Sequence, residues 1–207
     1  MIILRRIMKE FVTQSANRGI YLTVVMNLSH FIGILRGFLF KVVYFKNIQS
    51  TIFAMQSSSK IEIFNKHSTI TIGKFVFIRK NASFRLDHGG KLTIGDYVFI
   101  NDNCVINCAE KISIGKNTKI APNVCINDHD HNYKNIQDQH LVTGEVTIGR
   151  NVWIGANAVI LRNTHIGDNS VIGAGSVVKG NIPANCLYVN EREEKIIPYN
   201  KPKVAHG

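Results

Sequence analysis

Proline and cysteine are scarce in this chain, and carboxylates are outnumbered. Four prolines in 207 residues, with no low-complexity tract, argue against a disordered or linker-like chain. The four cysteines (Cys104, Cys108, Cys125 and Cys186) make no Cys-x-x-Cys pair and no zinc-like spacing. They read as reduced, structural thiols of a cytoplasmic protein, a free Cys behaving as a small apolar residue. No small-residue cleavage site follows the Met1 region, so no signal peptide is expected. The longest uncharged run, Gly19 to Leu35, has 17 residues and includes Asn27, Ser29 and His30. That is at the lower limit for a spanning helix, which needs roughly 20 mainly apolar residues.

Lys and Arg number 25 against 14 acidic residues, a net charge of +11. Within residues 1–46, seven cations face Glu10 alone, which leaves +6. Aliphatic and aromatic residues, such as Tyr21-Leu22 and Phe38-Leu39-Phe40, are interleaved with those cations. Two compatible readings follow: a helical arm that caps the end of a repeat domain, and a peripheral contact with an anionic membrane surface. Nucleic acid is a weaker fit, because the basic residues form no recognised reader motif.

What the chain does have is a period. Ile148, Ile154, Ile160, Ile166, Ile172 and Val178 recur every sixth position. Two places before each stands a small or β-branched residue, Val146, Val152, Ala158, Thr164, Ser170 and Ser176. Three places after five of the aliphatics comes Asn or Gly: Asn151, Asn157, Asn163, Asn169 and Gly175. Helices repeat at about 3.6 and strands at 2, so six implies a short strand plus a corner, repeated. Asn and Gly tolerate the positive φ that a tight corner demands. Three such units make a triangular coil of eighteen residues, and stacked coils bury the aliphatic column.

Earlier registers are shorter: Ile72, Ile78 and Phe84; then Ile94 to Ile112; then Ile114 to Ile126. From Ile126 to Ile148 is 22 residues, which six does not divide. The polar, aperiodic stretch Asn127–Gly144 must therefore leave the prism and return. Long irregular excursions from a regular scaffold usually carry function.

The repeated Ile-Gly-x-Asn-x-x-Ile pattern, over roughly residues 57–190, resembles the hexapeptide-repeat acyltransferases. The likeness is greatest to sugar and polysaccharide O-acetyltransferases. That resemblance implies an all-β solenoid, a left-handed parallel β-helix, acting as a homotrimer with acetyl-CoA as donor and a carbohydrate acceptor. The expected organisation is a largely helical arm at 1–56, a solenoid at 57–190 with a loop extruded at about 127–145, and a tail at 191–207.

Matching Ile120-Ala-Pro-Asn-Val124 to the family's segment puts the catalytic base seven residues after the Val, at His131. His129 is the reserve. An imidazole suits the task because its ordinary pKa, near 6.5, lets it take a proton at neutrality. Asp128 or Asp130 would orient the imidazole or support its charged form. Asp130 and His129 are also candidates for holding the acceptor.

Trp153 matches a family Trp beside the acyl-donor cleft, where its N–H or ring face would meet the thioester or pantetheine. Ala156 and Ala174 match small residues whose backbone touches CoA, and Lys179 matches a basic residue near its phosphates. Asn101 falls on an acceptor-contacting Asn of the galactoside group. The acceptor-binding Asp of that group falls on Ala109, with Glu110 adjacent, which speaks against a galactoside or maltose acceptor. The family's Gly-x-Pro-Ala-Lys-like ending is replaced by Asn190–Lys195, so contacts to the adenine end of CoA differ.

These features predict a cytoplasmic, acetyl-CoA-dependent O-acetyltransferase acting on a surface glycan or its precursor, with no metal required and with a peripheral position at the inner face of the membrane as an option. A small sugar, nucleotide sugar or other small hydroxyl or amine acceptor is the alternative. A γ-carbonic-anhydrase-like metalloenzyme, drawing on His88, His129, His131, His140 and His165, is a lesser one, since that family's Arg, Asp and Gln constellation is not recognisable. A non-catalytic or ice-binding solenoid ranks last, because there are no ranks of outward Thr.

Overall fold

The computed structural model describes residues 2–132 and 140–191. It begins with two helices, α1 (Ile2–Arg18) and α2 (Ile20–Val43), separated at Gly19. Gly19 has φ 83, a left-handed conformation that ends one helix and turns the chain into the next. All remaining elements are short strands.

The strands stack in parallel on three faces. The first face carries Ile48–Ser50, Thr69–Ile72, Lys91–Ile94, Lys111–Ile114 and Val146–Ile148. The second carries Phe53–Met55, Val76–Ile78, Phe99–Ile100, Lys119–Ile120, Trp153–Ile154, Val171–Ile172 and Leu187–Tyr188. The third carries Lys60–Ile63, Ser83–Leu86, Val105–Cys108 and Cys125–Asn127. Strands Val159–Ile166 and Val177–Ile182 run round the corner from the third face to the first. The expected parallel β-solenoid is thus the fold, six coils and part of a seventh.

The six-residue rule explains the register. Ile148 pairs with Ile166, Ile154 with Ile172, and Ile160 with Val178, each eighteen residues on. These aliphatics are buried in one continuous column, where each full burial contributes about 1.5–3 kcal/mol. The smaller inward residues lie between them. Where these are hydroxyls they close corners: Thr118 Oγ1 donates to the Gly149 carbonyl at 2.9 Å, and Ser170 Oγ to that of Pro183 at 2.8 Å.

Corner Asn residues take the left-handed conformation, with φ from 56 to 61. Their amides stack along the prism. Asn81, Asn103, Asn123 and Asn157 form one ladder of side-chain hydrogen bonds, each 3.1 Å long. The corner rule has exceptions. Phe75 and Tyr97 also have positive φ, at 56 and 58, in the column continued by Asn117 and Asn151. Their rings stack with centroids 5.5 Å apart, and that contact offsets backbone strain that Asn would avoid.

The solenoid starts earlier than the expected boundary at residue 57. Ile48 already pairs with Ile70 and Phe53 with Val76, so the arm is helical only to Val43. The first coil escapes the sequence pattern because its first two corners, at 51–52 and 56–59, lack Asn and Gly. Helix α2 lies across the second face of this coil. It buries Gly33 and Gly37 there, and a Cβ on Gly37 would sit 2.5 Å from the Phe53 carbonyl oxygen.

The excursion leaves after Asn127 and rejoins at Val146. Its described part is an antiparallel hairpin, His129–His131 paired with Leu141–Thr143. Residues 133–139 and 192–207, including most of the expected tail, lie outside the described residues.

Candidate active site

The hairpin is pinned at its root by Asp128, which is buried. Its carboxylate accepts the Ala109 and Glu110 backbone N–H groups, both at 2.8 Å, and lies 2.9 Å from His129 Nδ1. Its own carbonyl accepts the Gly144 N–H at 2.8 Å, closing the base of the excursion. Burial alone would raise the Asp128 pKa. The His129 imidazole and the two N–H donors outweigh it and hold the carboxyl below its usual value.

Strand alternation then divides the next residues. His129 and His131 face one side, Asp130 the other. On the first side lies a cleft of about 310 Å³ lined by Phe64, Arg85, Asn107, His129, His131 and His140, among others. His129 is half-buried at the wall, and His131 is exposed beyond it, its ring edge-on to His140 with centroids 4.9 Å apart. Asp130 does not reach this cleft; it pairs with Arg162 Nε at 2.7 Å. Of the two acids considered as imidazole partners, Asp128 is the one in contact, and its partner is His129.

Cys108 also lines the cleft, but burial first and the Asp128 charge second push its thiol pKa well up. It is a poor nucleophile in that state. Burial likewise lifts Cys104 to about 11.

The other candidates lie elsewhere. Trp153 projects from the second face, 56% exposed, above Lys119 and beside Asn117 and Asn151. The corner between the second and third faces carries Asn101, Ala156 and Ala174 in different coils. Hydrogen bonds from Asn101 to Ile120, from Gly155 to Ile172 and from Gly175 to Ala156 mark that column. Asn101 Oδ1 accepts the Asp102 N–H at 2.8 Å, and Ala174 is exposed. Lys179 is exposed on the strand Val177–Ile182. Within one chain, then, the imidazoles and the indole occupy different faces. Among the described residues no three His, Cys, Asp or Glu side chains are grouped to hold a metal ion.

Sequence reasoning missed Phe64, Arg85, Asn107 and His140 as cleft residues. Only the stacking register, Arg85 on Asn107 and Asn107 on Asn127, brings them together.

Parallel coils, Asn corners and one histidine-lined detour mark a solenoid transferase. Residues 145–180 match the bacterial transferase hexapeptide family (six repeats). The chain is 33% identical over 132 residues to the putative lipopolysaccharide biosynthesis O-acetyl transferase WbbJ of Escherichia coli K12, covering 58% of this chain and 67% of that protein. It is 36% identical over 130 residues to galactoside O-acetyltransferase of the same organism, covering 62% and 63%. The aligned segments thus span about two thirds of those relatives. In fold it is similar to AntD, an N-acyltransferase from Bacillus cereus solved with dTDP-4-amino-4,6-dideoxyglucose and coenzyme A, with TM-score 0.61, 24% identity and coverage of 80% and 90%. The chain belongs to the hexapeptide-repeat acyltransferase family.

Proposed function

We propose that this protein moves acetyl from acetyl-CoA to a sugar hydroxyl of a surface glycan or its precursor. The observation that carries this reading is the strand His129–His131, which turns two imidazoles into one cleft at the long excursion, where His140 stacks edge-on with His131. His131 is the base. It takes the proton from the acceptor hydroxyl as that oxygen attacks the thioester carbonyl. When the tetrahedral intermediate collapses, the carbon–sulfur bond breaks and the imidazolium returns its proton to the departing CoA thiolate. Of the two imidazoles on the strand His129–His131, His131 suits the role because it is the exposed one, open to a thioester arriving from outside. His129, fixed through Nδ1 by Asp128, presents Nε2 to the acceptor at the cleft wall.

Ala109, where the resemblance puts the acceptor Asp of the galactoside group, lines the same cleft, and the carboxylate there is that of Asp87 instead, which supports an acceptor held differently. Donor contacts fall to the corner of Ala156 and Ala174, with Trp153 against the pantetheine arm and Lys179 near the phosphates. The family resemblance implies a homotrimer, and the placement of indole and imidazoles on different faces of one chain supports a site completed between copies.

The test is complementation. His131→Ala should lower turnover by roughly 10²–10⁴-fold. Trp153→Ala should raise KM for acetyl-CoA while leaving the melting temperature unchanged. Co-expressing the two variants should restore part of the lost activity, because mixed trimers contain one intact site. Substantial activity in His131→Ala alone would overturn the base assignment; failure of mixed trimers to recover would overturn the shared site.

A further inference from the structure

Helix α2 is inside out. Its polar and charged residues, Thr23, Asn27, His30, Arg36 and Lys41, lie on the sides turned toward α1 and the solenoid. Arg36 donates to the Ser59 carbonyl at 3.1 Å, Lys41 to that of Ser50 at 2.6 Å, and His30 stacks on Phe77. Opposite Gly33 and Gly37 runs an apolar stripe at helical spacing: Leu28, Phe31, Leu35, Phe38, Leu39 and Val42. Each of these is between 47% and 61% exposed. The stripe continues toward Tyr21 and follows a helix about 36 Å long. A contiguous apolar surface of this kind marks a contact with something apolar.

We infer that this stripe lies on an anionic lipid bilayer as a peripheral, interfacial helix, with the cations of the α1 segment drawn to the headgroups. Charge favours lipid over a second copy of the chain, and two further observations favour a peripheral over a spanning helix. Residues 1–46 carry seven cations against Glu10, and with Arg36 and Lys41 tied to solenoid carbonyls the rest of the arm carries 5 − 1, or +4, so face-to-face association would bring together two arms of like charge. An anionic headgroup layer neutralises that charge instead. Only three residues of α2 are buried, so one flank is anchored to the solenoid and the other is free to enter the headgroup region. Finally, Arg36 and Lys41 are tied to solenoid carbonyls within the helix itself. The segment is therefore held along the protein surface rather than released to span a membrane, although its length and mean hydropathy of 1.5 would permit spanning.

The inference is independent of the acetyl-transfer reading. Its test uses the full-length protein and vesicles of phosphatidylcholine, alone or mixed about 3:1 with phosphatidylglycerol. Co-sedimentation should be strong on the mixed vesicles, weak on phosphatidylcholine, and reduced as salt rises from about 0.05 to about 0.5 M. Phe31→Glu with Phe38→Glu should cut the partition coefficient by at least about tenfold. Circular dichroism and melting temperature should change little, since Phe31 and Phe38 are 57% and 61% exposed. A second variant, Arg5→Gln with Lys9→Gln, should weaken binding to mixed vesicles only. No binding by the unaltered protein would overturn the inference. So would a Glu variant that changes the molar mass in light scattering while vesicle binding persists, because the stripe would then join copies. Binding that survives both high salt and alkaline carbonate would also overturn it, in favour of a spanning helix.

Discussion

Replacing Asp128 by Asn tests how the excursion is held. The carboxylate faces four partners, the N–H groups of Ala109 and Glu110, the His129 ring and the Cys108 thiol, in a site closed to water. Asn keeps one acceptor oxygen and turns a donor NH₂ toward the remaining partners. At least one buried backbone N–H loses its acceptor, at roughly 1–3 kcal/mol, and the charge-assisted part of the other bonds is lost as well. The expected destabilisation is about 2–4 kcal/mol. For a chain of this size that is a fall in melting temperature on the order of 10 °C.

Acid gives an independent check. Because the folded carboxyl is held below its usual value, its contribution is complete above the ordinary carboxylate pKa, near 4, and is lost as pH falls through the lowered one. The Asn variant has no such proton to bind. The stability gap between the two proteins, read from urea unfolding, should therefore be constant above about pH 5 and shrink in more acidic solution. Hydrogen exchange at Ala109, Glu110 and Gly144 should quicken in the variant even if distant coils stay closed. A gap that ignores acid, or an Asn variant as stable as the parent, would refute the role given to this carboxylate.

Two further outcomes follow from the prism itself. Asn123→Ala removes the polar side chain that eases a Cβ residue at φ 60 and breaks the amide ladder between Asn103 and Asn157, so it should cost roughly 1–2 kcal/mol in urea unfolding. Asn123→Gly, which keeps the backbone at ease, should cost less, and the reverse order would contradict the corner argument. Iodoacetamide applied to the folded protein should label half-exposed Cys186 before buried Cys104 and Cys108, as read by peptide mass spectrometry. Early labelling of either buried thiol would show that the column is looser than described.

The solenoid was legible because its rule is local: an inward aliphatic, a small neighbour and a corner residue repeat within six positions. The rule is weakest where something else does the corner's work, as the stacked rings of Phe75 and Tyr97 do. It also misses the first coil, whose Ile48–Met55 strands carry no Asn or Gly punctuation. For the site, the excursion and its two imidazoles could be read from the broken period. The partner of His129 could not be fixed from Asp-His-Asp-His, since alternation and burial decide which acid turns inward. Arg85, Asn107 and His140 belong to one cleft only through stacking and hairpin pairing, which bring together residues far apart in the chain.

Across the detour, paired positions such as Ile114 and Ile148 are 34 residues apart, whereas Ile148 and Ile166 are eighteen apart. The extra sixteen residues shift no register, because Asp128 and Gly144 meet again at the neck. Each coil touches only the coils above and below it. The outpouching is therefore an interchangeable module: a different length or composition beyond that neck could recognise a different acceptor while every rung of the stack remained in step.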